Sequence, residues 1–306
     1  MSRITRAGLG LAGAGVLGLA YGGLVERRAF RLRHVTVPGL RPAASAPVRM
    51  LHLSDLHLLP GQERKLAFVR GCVRAGPDVV VATGDILGHR DAVEPAIAAL
   101  NAVARGRVAL AVLGSNDVFG PQLKNPARYL MGPSTPHEGT RLDTRRLVDG
   151  LTAGGWLVLR NQRTTVASPA GPVDVAGLAD PHAGWDRPED IDWSPPVGQV
   201  ALRLGLVHAP YLRALDVFAR AGYDLVLAGH THGGQLRIPG VGALVDNCDL
   251  PLGKARGLSR HDASWLHVSA GLGESLYSPV RFACPPEATV LDIVAGDGFE
   301  AAHPGG

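Results

Sequence analysis

Three cysteines in 306 residues, Cys72, Cys248 and Cys284, are too few and too scattered for a disulfide framework or a structural zinc site. Free buried thiols are expected, which leans toward a reducing compartment. Aromatic residues are also sparse, at 5%, and with them the stacking platforms that single-stranded nucleic acid needs. A general basic surface is missing as well. The net charge is +4, but residues 1–50 hold eight Arg and one Glu, so this arm carries +7 and the remaining 256 residues −3. A body of that sign offers no broad surface to nucleic acid, and no such partner is expected. Long helices are disfavoured by 40 Gly and 23 Pro, which argues against a coiled coil or a bundle. An apolar content of 46% over this length excludes disorder and is ample for a core.

One long uncharged stretch stands out, Gly8 to Val25, flanked by Arg3 and Arg6 before it and by Glu26, Arg27, Arg28, Arg31 and Arg33 after it. At about 1.5 Å per residue, 18 residues just cross a hydrocarbon core of ~30 Å. Seven of the 18 are Gly, so the span is weakly hydrophobic. An uncleaved membrane anchor is the reading adopted, over a signal peptide cleaved after Ala20-Tyr21-Gly22 and over a buried helix. The Arg cluster following the stretch favours the cytoplasmic side for the body, while Arg3 and Arg6 pull the other way. Gly18 and Gly22 make one small-xxx-small spacing, too common to argue a dimer. Arg41 to Pro47 reads as a linker.

The body then repeats one pattern. Short apolar runs stop at polar clusters: Val48 to Leu53 before Ser54-Asp55, Val79 to Ala82 before Gly84-Asp85, and Val108 to Leu113 before Gly114-Ser115-Asn116-Asp117. Leu204 to Val207 precedes His208, and Leu225 to Ala228 precedes Gly229-His230. Such runs suit strands buried on both faces, and helical segments at Glu63 to Arg74 and Ala92 to Ala104 separate the early ones. An α/β fold with a largely parallel sheet follows. Further helices are expected at Asp143 to Leu151 and Pro210 to Arg220, with strands at Trp156 to Leu159, Trp265 to Ser269 and Ala288 to Ile293. The long Pro-rich stretches Gly120 to Thr140 and Asp180 to Gly198 read as rims or lids.

Ligands collect outside the carboxyl ends of strands in open α/β sheets, and there this chain places metal-ligand chemistry. Asp55 and His57, Asp85, Asn116 or Asp117, His208, and the pair His230 and His232 follow successive strands. A lone Asp after a strand is ordinarily a cap, and a lone His an ordinary polar side chain. The recurrence at strand end after strand end makes the joint coincidence untenable. Carboxylate, imidazole and amide donors suit Mn, Fe or Zn better than Ca²⁺ or Mg²⁺. Seven candidates exceed the needs of one ion, so two ions sharing a carboxylate, with Asp85 in the middle of the order, is the economical arrangement.

Asp55-Leu56-His57, Gly84-Asp85, Gly114-Ser115-Asn116-Asp117, His208 and Gly229-His230-Thr231-His232 resemble the ordered motifs of the calcineurin-like metallophosphoesterases. Gly229 to Leu236, with Arg281 to Glu287, is similar to the membrane-anchored bacterial branch of that family. The resemblance implies a four-layer α/β/β/α sandwich of two mixed sheets with the dimetal site at the strand C-terminal ends. It further implies that Asp55, His57, Asp85 and His232 hold one ion, and Asp85, Asn116, His208 and His230 the other. Two divalent or mixed-valence ions of Mn, Fe or Zn are the implied cofactors, and Asn116, Asp117 and His208 the candidate catalytic residues. The family's G-N-H-D departs here to Gly114-Ser115-Asn116-Asp117, which leaves its catalytic His without a counterpart. His89 and His182 are the nearby spare imidazoles.

The domains expected are an arm at 1–40 with its anchor at about 8–25, a linker at 41–47, a phosphoesterase domain at 48–295 and a flexible tail at 296–306. A chain starting near Ala43 is then expected to be soluble and active. The function expected is dimetal-dependent hydrolysis of a phosphodiester or phosphomonoester at a membrane, on a lipid-linked or envelope metabolite. A catalytically weak metal-binding scaffold and a nucleic-acid phosphodiesterase are the rival readings. Ser54 and Ser115 read as supporting residues rather than nucleophiles.

Overall fold

The computed structural model describes residues 15, 17–121, 139–274 and 279–296. In chain order the strands are β1 (Arg31–Leu40), β2 (Val48–Leu53), β3 (Val79–Thr83), β4 (Val108–Val112), β5 (Trp156–Val158), β6 (Gln162–Val166) and β7 (Val173–Gly177). They continue with β8 (Leu202–Leu206), β9 (Leu225–Ala228), β10 (Arg237–Ile238), β11 (Gly242–Ala243), β12 (Gly257–His261), β13 (Ser264–Val268) and β14 (Glu287–Ala295). The helices beyond the arm are α1 (Glu63–Gly71), α2 (Val93–Ala104), α3 (Thr144–Ala153) and α4 (Leu212–Arg220).

Two six-stranded sheets form, in the orders β1-β14-β2-β3-β4-β5 and β12-β13-β9-β8-β7-β6. Both are mixed: β14 runs antiparallel to β2, β12 to β13 and β6 to β7, and every other pairing within them is parallel. The strand alternation explains the layering. Val80 and Ala82 of β3 face α1, α2 and α3, while Val79 and Val81 face the second sheet. On the second sheet, Val226 and Ala228 of β9 turn outward to Leu215 and Phe218 of α4. Helices, sheet, sheet and helix thus stack as an α/β/β/α sandwich with three apolar seams. All three cysteines are buried and unpaired.

The first sheet begins earlier than the sequence suggests. Arg31–Leu40, expected as part of the arm, is β1 and pairs in parallel with β14 along its length. Its alternating Arg and its Pro38 disguise it, yet both are ordinary on an edge strand. The long stretch Gly120 to Thr140 and the tail from Gly296 lie almost wholly outside the described residues. So does much of the anchor expected at 8–25. Residues 17–24 are helical, and among the described residues no helix is long and apolar enough to cross a membrane. A methyl group at Gly18 would touch Phe282, and one at Gly22 would meet the Arg281 carbonyl. The small-xxx-small spacing therefore faces the body of the same chain.

Candidate metal centre

The turns that leave β2, β3, β8 and β9 are stitched together beyond the strand ends. The Asp55 N–H donates to Gly84 O at 3.0 Å, His57 N–H to Asp85 O at 2.9 Å, and Gly229 N–H to His208 O at 2.9 Å. After β13 the loop Gly271–Gly273 joins them, with Leu272 N–H on Ser54 O at 3.0 Å and Gly273 N–H on Asp55 O at 2.6 Å. Asp55, His57, Asp85, His230 and His232 all have φ between 39° and 68°, a left-handed backbone that such residues rarely adopt. Strain gathered on five neighbouring polar residues marks a functional site. A side chain at Gly114 would strike Asp85 Oδ1, and one at Gly229 would strike Ser54 and Asp55, so these glycines allow the turns to close on the carboxylates.

Carbonyl partners settle where the protons lie, because a carbonyl only accepts. His208 Nδ1–H donates to Thr83 O at 2.7 Å and His232 Nδ1–H to Gly273 O at 2.9 Å, which turns Nε2 of each ring toward the cluster. His208 Nε2 is buried, makes no hydrogen bond and stands 3.4 Å from Asp85 Oδ2. His232 Nε2 stands 3.8 Å from Asp55 Oδ1 and 3.2 Å from His57 Nε2, and His57 Nε2 lies 3.4 Å from the same Asp85 oxygen. Burial holds the His57 imidazolium down to about 4 and His232 well below the usual range. Burial pushes Asp55 up to about 7. Burial opposes ionisation of Asp85 too, but the charge of His208 beside it, with the hydrogen bond from Asn116, keeps it well below the carboxylate range. His208 is lowered by burial yet raised overall, well above its ordinary value, by Asp85, Asp180 and Asp55.

Imidazole Nε2 atoms and buried carboxylate oxygens that converge within 3.8 Å of one another are donor atoms of the kind that hold cations. Asp55, His57 and His232 form one group, and Asp55, Asp85 and His208 a second, each with ligand atoms within 4.8 Å of one another. Asp55 belongs to both, whereas Asp85 is the shared residue expected from the order of ligands. Asp85 Oδ2 nonetheless faces an imidazole of either group at 3.4 Å. Mixed imidazole and carboxylate donors suit first-row transition ions or zinc.

The profile of the family described as calcineurin-like phosphoesterase matches residues 48–234. The chain belongs to that family. It is similar to the phosphodiesterase YaeI of Escherichia coli (strain K12), 30% identical over 82% of this chain and 83% of that protein. It is also similar to the metallophosphoesterase YkuE of Bacillus subtilis (strain 168), 28% identical over 79% of this chain and 76% of that one. A purple acid phosphatase from yellow lupin seeds aligns with 79% of this chain and 47% of its own, at 11% identity and a TM-score of 0.41. The chain is thus a metal-dependent phosphoesterase with a candidate dimetal site.

Around the cluster this phosphoesterase has a support that its motifs do not announce. Ser54 Oγ donates to Asp55 Oδ2 at 2.5 Å, and Thr83 Oγ1 donates to Ser54 Oγ at 2.7 Å. With its own proton committed, Thr83 accepts from His52 Nε2 at 2.9 Å, and His52 Nδ1 then accepts from His267 Nδ1 at 3.0 Å. Four donors in series point at one buried carboxylate, and the chain crosses from the second sheet to the first. Arg281, fully buried, donates to the carbonyls of Ala270 and Gly273 and so fixes the loop that holds His232.

The other expected residues fall in different places. Asn116 donates to Asp85 twice, from its backbone N–H to Oδ1 at 2.9 Å and from Nδ2 to Oδ2 at 2.7 Å. Asp117, expected as catalytic, is instead fully buried and accepts the N–H groups of Ile86, Leu87 and Gly114. A carboxylate that accepts three backbone donors ties those turns together. His230 Nε2–H donates to Asn247 O at 3.1 Å, so its lone pair is on Nδ1; the ring lies beside that of His208, 5.2 Å between centroids, and is in neither ligand group. His89 is exposed and caps the turn after it through the Asp91 N–H. His182 borders the cluster, its ring 4.5 Å from that of His230 and its Nδ1 3.0 Å from Tyr211 Oη. Asp180, unnoticed in the sequence, accepts both the His182 N–H and the Ser115 N–H at 2.9 Å, tying that loop to the altered motif. Burial raises its carboxyl to about 6.

Proposed function

We propose that this phosphoesterase cleaves a phosphodiester carried by a lipid-linked or envelope metabolite, and that its arm keeps it on the membrane with the body on the cytoplasmic side. The observation that carries the hydrolytic reading is the convergence of His208 Nε2 on Asp85 and of His232 Nε2 on Asp55, at 3.4 and 3.8 Å, with the other nitrogen of each ring held by a carbonyl. In this reading Asp55, His57, Asp85 and His232 hold one ion, and Asp85, Asn116, His208 and His230 the other. Bound Mn, Fe or Zn ions would supply Lewis-acid polarisation of the phosphoryl oxygens. The carbonyls of Thr83, Gly273 and Asn247 fix the imidazole tautomers, and Asp117 holds the turns in place. His182, anchored by Asp180, carries the proton for the leaving oxygen. The diester preference rests on the activity named for the Escherichia coli relative, and the membrane setting on the uncharged, Arg-flanked arm.

Turnover of bis-p-nitrophenyl phosphate and of p-nitrophenyl phosphate, after chelation and after return of Mn²⁺, tests the reading. The diester is expected to be the better substrate and its turnover to vanish with chelation. Asp85→Asn is expected to release both ions, seen by elemental analysis, and to lower activity by about 10²-fold or more. Turnover indifferent to chelation, or a preference for the monoester, would overturn it.

A further inference from the structure

Two elements far apart in sequence expose apolar side chains and are bonded to the same short segment. The arm helix presents Leu17 and Leu24, 73% and 66% exposed, with Leu19, Tyr21 and Val25. The β10–β11 hairpin presents Ile238, Leu244 and, near its tip, Val241, 79% exposed. Between them runs Arg281-Phe282. The Arg281 N–H donates to Gly22 O of the arm, while Phe282 donates to Gln235 O and accepts from the Arg237 N–H, both at 3.0 Å. The arm and the hairpin therefore flank one short segment and share one side of the molecule.

That side borders the metal centre. The hairpin leaves directly from His232-Gly233-Gly234, and Cys284 Sγ lies 3.3 Å from His232 O. Glu26, at the end of the arm, is buried and accepts the Ala283 and Cys284 N–H groups. Arg27 pairs with Glu274 at 3.1 Å. The hairpin is uncharged from Ile238 to Val245, and exposed Arg28 and Arg31 follow the arm helix. Apolar tips rimmed by arginine match the acyl and anionic headgroup zones of a bilayer.

We infer that the β10–β11 hairpin is a second membrane-contacting element, dipping Ile238, Val241 and Leu244 into the same leaflet as the arm. This rests on the membrane setting proposed above and adds a substrate class to it, a phosphoester whose acyl chains stay in the leaflet while its phosphate reaches the metal centre. The occupant is the lipid surface because the hairpin continues the face of an arm whose uncharged run is of membrane-spanning length.

The test uses the full chain, reconstituted by detergent dilution into phosphatidylcholine and phosphatidylglycerol vesicles with acyl-brominated lipids. Parent and Val241→Trp are compared; the four native Trp residues all lie in the body and give the baseline. Quenching of the added indole beyond that baseline is expected. Co-sedimentation with vesicles but no added quenching overturns the hairpin contact and leaves the arm's anchoring standing. Failure to co-sediment overturns the membrane setting itself. An indole shifted by protein concentration without lipid would assign the face to a second copy and also overturn the inference. Leu244→Trp repeats the measurement should the first variant misfold, which hydrolysis of the soluble diester reveals. As a functional arm, Val241→Asp is expected to slow hydrolysis of a vesicle-borne phosphodiester about fivefold or more, with the soluble diester turned over at the parent rate.

Discussion

Asp55 is fully buried, strained in φ and placed in both ligand groups, so its orientation depends on the donors behind it. The hydroxyls of Ser54 and Thr83 and the imidazoles of His52 and His267 align on it in one direction. Thr83→Val keeps the shape and cuts the series in the middle, and is expected to weaken metal affinity or activity by about tenfold or more, read by metal titration. A parent-like titration would show that Ser54 alone suffices. His182→Ala is expected to slow esters with poor leaving groups far more than activated ones, while His89→Ala leaves both rates unchanged. Graded aryl phosphodiesters make that measurement. The residues of the cluster were legible because each ends an apolar run and repeats the same chemistry. Thr83, His52 and His267 were not, since a lone polar residue inside a strand reads only as a flaw in the apolar pattern; its partner is on another strand or the facing sheet. Asp117 presents the reverse case: its type fits catalysis, while the three backbone donors that hold it come from two different turns and leave no mark in the sequence.

Among the elements, buried strands such as β3 and β9 were plain in the sequence, as were α2 and α3, whose apolar faces fill one seam. Edge strands were harder. β1 reads Arg-Leu-Arg-His-Val-Thr-Val-Pro, and its charges suggested an arm, yet in the fold it covers β14. A chain starting at Ala43 therefore lacks a strand of the first sheet as well as the arm, which weighs against the expectation that it is soluble and active. It is expected to aggregate through the bared edge of β14, whereas a chain starting at Ala29 remains monodisperse; size-exclusion chromatography separates the two outcomes. β6, β7 and β12 are hidden in the sequence because Asp174 and Gly177 interrupt β7 and the other two are half-exposed, with Arg and Thr where an apolar run would be sought.

At the scale of the whole molecule, the His52–His267 contact is a polar bond set between two sheets whose facing sides form an apolar seam. Burial lowers His267 to about 3 and His52 well below its ordinary value. Both are neutral in the folded protein and take up protons near pH 6.5 once unfolded, so stability is complete above about 6.5 and falls as pH drops from there toward 3. Thermal melts from pH 7 to 5 are expected to fall more steeply for the parent than for His267→Gln, since the metal-binding imidazoles affect both alike. Parallel curves would refute the assignment. The place of β14 has a further consequence, for synthesis on the ribosome. Among the described strands it pairs with β1 and β2 alone, so until Glu287–Ala295 emerges β2 has an open flank and β1 lacks its described partner. Domains complete as units during translation, at about 5–20 residues per second. For many seconds the nascent chain then carries the arm, the unpaired β1 and an exposed sheet edge together, a state in which chaperones would decide its yield.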